Sequence, residues 1–214
     1  MKRAMPVTTL FVDVGGVLLN NGWDHIARRK AAKHFNLQWS EMEDRHRLTF
    51  ESHEEGKLTL EEYLSLVVFH QKRPFTRTDF QRYMCQLSKP HPEMITLVSE
   101  LKVRYQLKIV VVSNEARAVN DYRIHKFKLG EFVDCFISSC FVQLRKPDAD
   151  IFRLALDTAQ TPVQQVVYIE NTPMFVQIAE GLGIRSILHT DYKSTCAQLA
   201  SFGLSNVGAI RATR

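Results

Sequence analysis

The sequence predicts an α/β protein with a doubly wound parallel sheet of about five strands, interrupted by an all-α insertion. Three observations predict it. Five short apolar runs are continuous rather than alternating with polar residues, as strands covered on both faces require. Amphipathic helical patterns separate the later runs, and strand–helix alternation implies parallel strands joined by right-handed crossovers. Between the first two runs, from Asp13 to Lys108, lie about 95 residues. One crossover helix needs far fewer, so the excess must fold by itself.

The elements follow in chain order. Residues 9–12 (TLFV) form the first strand. In the insertion, residues 23–35 are amphipathic through Trp23, Ile26, Ala27, Ala31 and Phe35, and residues 41–53, 59–70 and 79–87 also read as helices. Thr59 followed by Glu62 fits a capping box. Helix 92–105 opens with Pro92 in its first turn and repeats apolar residues at Ile95, Leu97, Val98 and Leu101. Strands 108–112 and 135–137 follow, then helix 148–159, strand 166–169, helix 173–182 ending at Gly183 as C-cap, and strand 186–188. The expected division is a core of residues 1–17 and 91–214 with a helical unit of residues 18–90. The tail 208–214 is expected to fray.

Composition narrows the class. A chain of 214 residues, 45% hydrophobic and 24% charged, buries a self-sufficient core and is not disordered. Its longest aliphatic run, residues 109–112, is far short of a bilayer span, and Asp13 interrupts the one apolar stretch near the start. Neither a membrane nor a secretory signal is indicated. Cys85, Cys135, Cys140 and Cys196 lack C-x-x-C spacing, so they read as buried free thiols of a cytoplasmic protein rather than a zinc site. The net charge of +5 is scattered, its densest cluster being Arg28, Arg29, Lys30 and Lys33 on one helical segment. That pattern reads as a solvated helix face, not a nucleic-acid footprint, and suits a small anionic partner.

In open parallel sheets, ligands bind outside the carboxyl ends of the strands. The first strand ends at Asp13, followed by Val14, Gly15 and Gly16; the second ends at Ser113-Asn114; the fourth ends at Glu170-Asn171. Lys146 sits in the loop opening the helix after the third strand. A carboxylate, a hydroxyl, an ammonium and a second acid are thereby expected around one crevice. His25, His46, His53 and His70 lie in the insertion and could line a substrate pocket, but such residues are more often half-exposed helix surface and are assigned no role; Trp23, Phe50 and Tyr63 read as the insertion's core rather than as sugar-stacking platforms.

With these segments in view, the sequence resembles the haloacid dehalogenase-like hydrolase superfamily over roughly residues 8–204. LFVDVGGVL resembles that family's first motif, VVVSN its second, RKPDADIF its third and VVYIENTPMFVQIAEGLGI its fourth. The insertion has the position and helical character of the family's cap, and FESHEEGKLTLEEYL resembles a cap segment of its small sugar-phosphate phosphatases. The resemblance implies a Rossmann-like core and a nucleophile at Asp13 that attacks phosphorus to give an aspartyl-phosphate. It also implies that Ser113 and the Asn114 N–H hold the phosphoryl group, with Gly15 and Gly16 beside it. Lys146 would neutralise charge. A Mg²⁺ would sit among Asp13, the Gly15 carbonyl and Glu170 or Asn171.

Two positions depart from the family pattern. The first motif usually reads Asp-x-Asp, and its second acid protonates the leaving oxygen; here it is Gly15. The fourth motif usually supplies an acid to the metal where this chain has Asn171, so weaker Mg²⁺ binding is expected. Two alternatives stay open on these grounds. Metal-independent 2-haloacid dehalogenases of the superfamily share both losses, but they need a cap arginine that Arg28, Arg29, Arg45 and Arg47 do not single out. A non-catalytic binding or scaffold protein would also tolerate both changes.

Overall fold

The computed structural model describes residues 5–205. Its strands are β1 (Thr9–Val12), β2 (Lys108–Ser113), β3 (Cys135–Ser138), β4 (Val166–Glu170) and β5 (Arg185–Leu188), and all neighbours pair in parallel. The sheet order is β3-β2-β1-β4-β5. Helices α1 (His25–His34), α2 (Trp39–Arg47), α3 (Phe50–Glu54), α4 (Leu60–Val67) and α5 (Arg77–Gln86) lie between β1 and β2. They precede α6 (Pro92–Tyr105), and α7 (Arg117–Lys126), α8 (Ser139–Val142), α9 (Asp150–Ala159), α10 (Pro173–Gly181) and α11 (Tyr192–Ser201) follow. None of the described helices is long and apolar enough to cross a membrane.

Strand side chains alternate between two apolar layers, which explains the unbroken apolar runs. Leu10, Val12, Ile109, Val111 and Ile169 pack with Leu97, Val98 and Leu101 of α6 and Leu199 of α11. Phe11, Val110, Val112 and Tyr168 pack on the other face with Ile151, Phe152 and Ala155 of α9 and Ala179 of α10. Burying each such large side chain contributes about 1.5–3 kcal/mol. The central strand β1 is bracketed by β2 and β4, so successive crossovers leave in opposite directions there. That is the switch point at which a ligand crevice opens.

The inserted helices have a core of their own: Ala31, Ala32, Met42, Tyr63, Leu64, Val67, Phe80 and Met84, closed by Val119 of α7. Local chemistry sets their ends. Asp24 accepts from the Ala27 N–H at 2.8 Å to start α1. The Thr59–Glu62 capping box is present, and Thr76 with Asp79 forms a second one that starts α5. The helix expected over residues 41–53 is two helices, because the Thr49 hydroxyl donates to the Arg45 and His46 carbonyls and takes over the end of α2. Gly183 takes φ +83° just past α10, and its N–H donates to the Glu180 carbonyl at 2.8 Å.

Other expectations are corrected. Helix α7 has no clear apolar period because its buried face carries Asn120 and Arg123 beside Val119. Among the four free cysteines only Cys140 is buried. In the basic cluster Arg28 is buried, bonded through Nε and Nη2 to both oxygens of Glu43 (2.8 and 2.7 Å), while Arg29, Lys30 and Lys33 are exposed. The expected fraying of 208–214 lies outside the described residues.

The insertion is fastened to the sheet domain through the turn after α3. The Ser139 hydroxyl donates to the Glu54 carbonyl at 2.6 Å, and Arg145 donates to the Glu54 and Glu51 carboxylates. Gly56 has φ +70°, and a Cβ there would stand 2.4 Å from the Cys140 carbonyl oxygen. Gly56→Ala therefore combines left-handed strain with a backbone clash. Urea unfolding should show it about 2 kcal/mol less stable than wild type; an unchanged midpoint would contradict this docking.

Candidate active site

Asp13 directly follows β1 and Glu170 ends β4, neighbouring strands in register, so their carboxylates emerge side by side at the carboxyl edge. Lys146, 1% exposed, enters between them. Its Nζ donates to Asp13 Oδ1 at 3.0 Å, to Glu170 Oε2 at 2.6 Å and to the Tyr168 hydroxyl at 3.1 Å. Tyr168 lies two residues before Glu170, on the same face of β4, and its hydroxyl also bonds Glu170 Oε2. The lysine loop is held by a reciprocal clamp. Asn114 Nδ2 donates to the Lys146 carbonyl and Asn114 Oδ1 accepts from the Lys146 N–H, both at 2.8 Å.

Burial dominates the electrostatics. It pushes the Asp13 carboxyl above its usual range; the Lys146 ammonium opposes that rise, and Glu170 adds to it. Burial also pulls on Lys146, but Asp13 and Glu170 together overcome it and hold the ammonium above its ordinary value. Burial, reinforced by Glu170, raises the Tyr168 phenol far enough that it keeps its proton. One cation between two carboxylates leaves the crevice short of positive charge.

Gly15 and Asn171 form an oxygen-lined corner beside Asp13. Turned with its nitrogen inward, the Asn171 amide donates to Glu170 Oε1 at 2.9 Å and to the Gly15 carbonyl at 3.1 Å. Turned with its oxygen inward, it leaves acceptors facing one another with no donor between them. A hard cation satisfies that second arrangement. Asp13, the Gly15 carbonyl and the Asn171 oxygen are its fitting donors, and the raised Asp13 carboxyl marks the charge that such an ion would neutralise. Both Glu170 oxygens are already engaged, Oε2 by Lys146 and Tyr168 and Oε1 by the Thr172 N–H at 2.8 Å. Among the described residues no group of three or more His, Cys, Asp or Glu side chains is placed to hold a metal.

Not every expected residue faces the same space. A cavity of about 470 Å³ is lined by Asp13, Gly15, Asn114, Lys146 and Asn171 on the sheet side. Gly16 lines a neighbouring cavity instead. It has φ +80°, and a Cβ there would stand 2.1 Å from Asn171 Nδ2, so its role is to admit the Asn171 side chain. The Ser113 hydroxyl is buried with no hydrogen-bond partner among the described residues, close enough to Asp13 to favour its ionised form. The Asn114 side chain positions the lysine loop, which leaves only its backbone N–H for a ligand.

The far wall comes from the insertion and corrects the reading of its histidines. His53 is buried rather than half-exposed, and both His46 and His53 line the cavity with Trp23 and Phe50. Tyr63 is fully buried behind them. Glu115, Arg123 and Arg145 were not expected either. Arg123, 1% exposed, bonds Glu115, the Asn20 carbonyl and the Ser88 hydroxyl, tying both connections of the insertion to the loop after β2. Only the adjacency of Arg145 to Lys146 and the period-two spacing of Tyr168 and Glu170 signal these neighbours in the sequence.

A carboxylate–lysine pair at the switch point of a doubly wound sheet, roofed by inserted helices, defines a class of α/β hydrolases. The chain belongs to the haloacid dehalogenase-like hydrolases: their family model matches residues 7–183. Among solved structures it is similar to a HAD family enzyme, BT-2542 of Bacteroides thetaiotaomicron, in complex with magnesium and inorganic phosphate. That pair has a TM-score of 0.70 and 19% identity over 85% of this chain and 93% of that one. A HAD-like family hydrolase of Porphyromonas gingivalis gives a TM-score of 0.74 and 18% identity over 92% and 98%. The L-2-haloacid dehalogenase of Xanthobacter autotrophicus, with chloropropionic acid covalently bound, gives 0.59 and 15% over 97% and 88%. No curated protein matches the sequence.

Proposed function

We propose that this hydrolase is a phosphatase acting on a small phosphate monoester, with Asp13 as nucleophile and the insertion as its cap. The observation that carries the reading is the pairing of every cationic side chain that lines the cavity. Arg28 holds Glu43, Arg47 holds Asp44, Arg145 holds Glu51 and Glu54, and Lys146 holds Asp13 and Glu170. A haloacid carboxylate and a phosphate dianion would both meet Lys146 and the Asn114 N–H, but a haloacid needs a guanidinium beyond these, and each one lining the cavity is already paired. Only the dianion makes use of the corner of oxygens fit for a cation.

Mg²⁺, held by Asp13, the Gly15 carbonyl and the Asn171 amide oxygen, would supply charge neutralisation for the phosphoryl oxygens; BT-2542 holds magnesium with phosphate. The chain's own groups do the rest. The Asp13 carboxylate attacks phosphorus as the ester oxygen leaves, and water then cleaves the aspartyl-phosphate to regenerate Asp13 and release phosphate. The Lys146 ammonium offsets the charge that gathers on the transferred group. The insertion excludes bulk water.

Gly15 supplies no proton to the leaving oxygen, so esters of poor leaving groups should turn over slowly. Space for a side chain exists, since a Cβ at Gly15 comes no nearer than ordinary contact, 3.5 Å from Asn21 Oδ1, 3.7 Å from Asn21 Cα and 4.0 Å from Asp13 Oδ2. Gly15→Asp should raise kcat on alkyl phosphates about 10²-fold, with little change on p-nitrophenyl phosphate, whose leaving group needs no proton. Equal effects on both would contradict a missing acid at this position. The function itself is tested with a panel of phosphate monoesters and Mg²⁺, set against halide release from 2-haloacids in chelator. Phosphate release supports the reading. Halide release, or no turnover of any substrate, overturns it.

A further inference from the structure

The two connections of the insertion run side by side as a short antiparallel pair. Leu19 bridges Pro90, the Asn20 N–H donates to the Lys89 carbonyl at 2.9 Å, and the His91 N–H donates to the Leu18 carbonyl at 2.8 Å. The Asn20 side chain stitches them again. Its Nδ2 donates to the Leu87 carbonyl and its Oδ1 accepts from the Lys89 N–H, both at 2.9 Å. Arg123, on α7 of the sheet domain, binds this pair to the loop after β2.

Its guanidinium is spread over three partners from separate places in the chain. Nε donates to the Ser88 hydroxyl at 3.3 Å, in the second connection. Nη2 donates to the Asn20 carbonyl and, at 3.2 Å, to Asn20 Oδ1 in the first. Nη1 donates to the Glu115 carboxylate in the loop. Gly22 makes room for the group: it has φ +62°, and a Cβ there would stand 3.1 Å from Arg123 Cζ. A planar fork of five N–H donors can span such a set, whereas a lysine brings the charge without the span. Neutralising Glu115 requires only the charge, so the spread over both connections calls for a second role.

The loop held in this way carries the Asn114 N–H, which the phosphatase reading assigns to the phosphoryl group. Its neighbours are committed elsewhere. The Asn114 side chain clamps Lys146, and the Glu115 N–H donates to the Ser139 hydroxyl at 3.0 Å, which in turn donates to the Glu54 carbonyl of the insertion. The insertion therefore grips Glu115 from two sides, at its connections through Arg123 and at the turn after α3 through Ser139. We infer that Arg123 is a positioning residue that sets the Asn114 N–H by the seating of the insertion, so that the hold on a phosphoryl group depends on where the two connections lie. The inference rests on the phosphatase reading for the ligand and on these contacts for the coupling. Arg123 does not line the cavity; it acts through Glu115, which does.

Two charge-balanced variants test this. Arg123→Lys keeps a cation opposite Glu115, and Arg123→Met combined with Glu115→Met removes both charges, so neither protein strands one. With Mg²⁺, inorganic phosphate should bind about 10-fold more weakly to each than to wild type, and kcat on p-nitrophenyl phosphate should fall about 10–100-fold. In ligand-free Arg123→Lys, the Glu115 amide should exchange its hydrogen about 10-fold faster, with the amides of β1 and β4 unchanged. If Arg123→Lys does not fold, the apolar pair carries the same phosphate comparison. Phosphate affinity within about 2-fold of wild type in either folded variant means that Arg123 only balances charge, and overturns the inference; so does an unchanged Glu115 amide. Wild-type protein that neither binds nor releases phosphate sinks the phosphatase reading, while exchange at Glu115 still decides the coupling.

Discussion

Asp13→Asn should abolish phosphate release, lowering kcat about 10⁴-fold or more, and should leave the protein folded. An amide has the shape of the carboxylate but not its nucleophilic oxygen. Lys146 keeps Glu170 at 2.6 Å and Tyr168 at 3.1 Å, so no buried cation is stranded. The sign of the stability effect also follows. Burial raises the Asp13 carboxyl to about 7 from 3.8, the ordinary value it keeps when unfolded. A carboxyl shifted that way opposes folding once it ionises, above its folded pKa, and has no such effect below its unfolded pKa. Thermal melts should place the Asn variant at or above wild type at pH 8, with the gap closing toward pH 4. A variant retaining more than about 1% of wild-type kcat would remove Asp13 from the chemistry.

Lys146→Met should be the most damaging change to the fold. It leaves Asp13 and Glu170, 6% and 0% exposed, as neighbouring buried carboxylates with no cation between them. Breaking a buried pair from one side costs about 3–5 kcal/mol, which for a domain of this size lowers Tm by about 10 °C. The loss should be greatest at alkaline pH. Removing Lys146 takes away the main influence holding the Asp13 carboxyl down, so lowering the pH protonates the site and restores stability. Adding Glu170→Gln should recover part of the loss, because one uncompensated charge disappears. Phosphate release should fall at least about 10³-fold in both variants. A Lys146→Met protein as stable as wild type at pH 8 would mean that the three charges do not form one buried unit.

How much of this was legible before folding depends on the range of the interactions. The strands are written locally, as in Lys108–Ser113 and Val166–Glu170, because a strand covered on both faces needs apolar residues at every position. Gly183 and the Thr59–Glu62 box are equally local, since each sets a helix end within four residues. Polar residues at strand ends predict Asp13, Ser113 and Glu170 near one edge for the same reason. The split between α2 and α3 was missed because one hydroxyl, Thr49, competes for carbonyls that periodicity assigns to a continuing helix. Helix α7 was missed because it buries Arg123, and burial of a guanidinium depends on Glu115, Asn20 and Ser88, which come from three other places in the chain.

The cap wall marks the limit most clearly. In the linear chain, His46 and His53 resemble any histidines on a helix surface. Their hydrogen-bond partners, the Tyr63 hydroxyl and the Leu58 carbonyl, are ones that only packing brings to them. The amino-acid order alone settled the sheet, the long insertion and the family, because backbone pairing and apolar burial leave periodic marks in sequence. Tertiary structure alone decided which charges are spent on one another, which glycine admits the Asn171 side chain and which histidines line the cavity. Those outcomes depend on contacts a few ångströms long between residues far apart in the chain, Lys146 and Asp13 by 133 positions, and no local pattern encodes such distances.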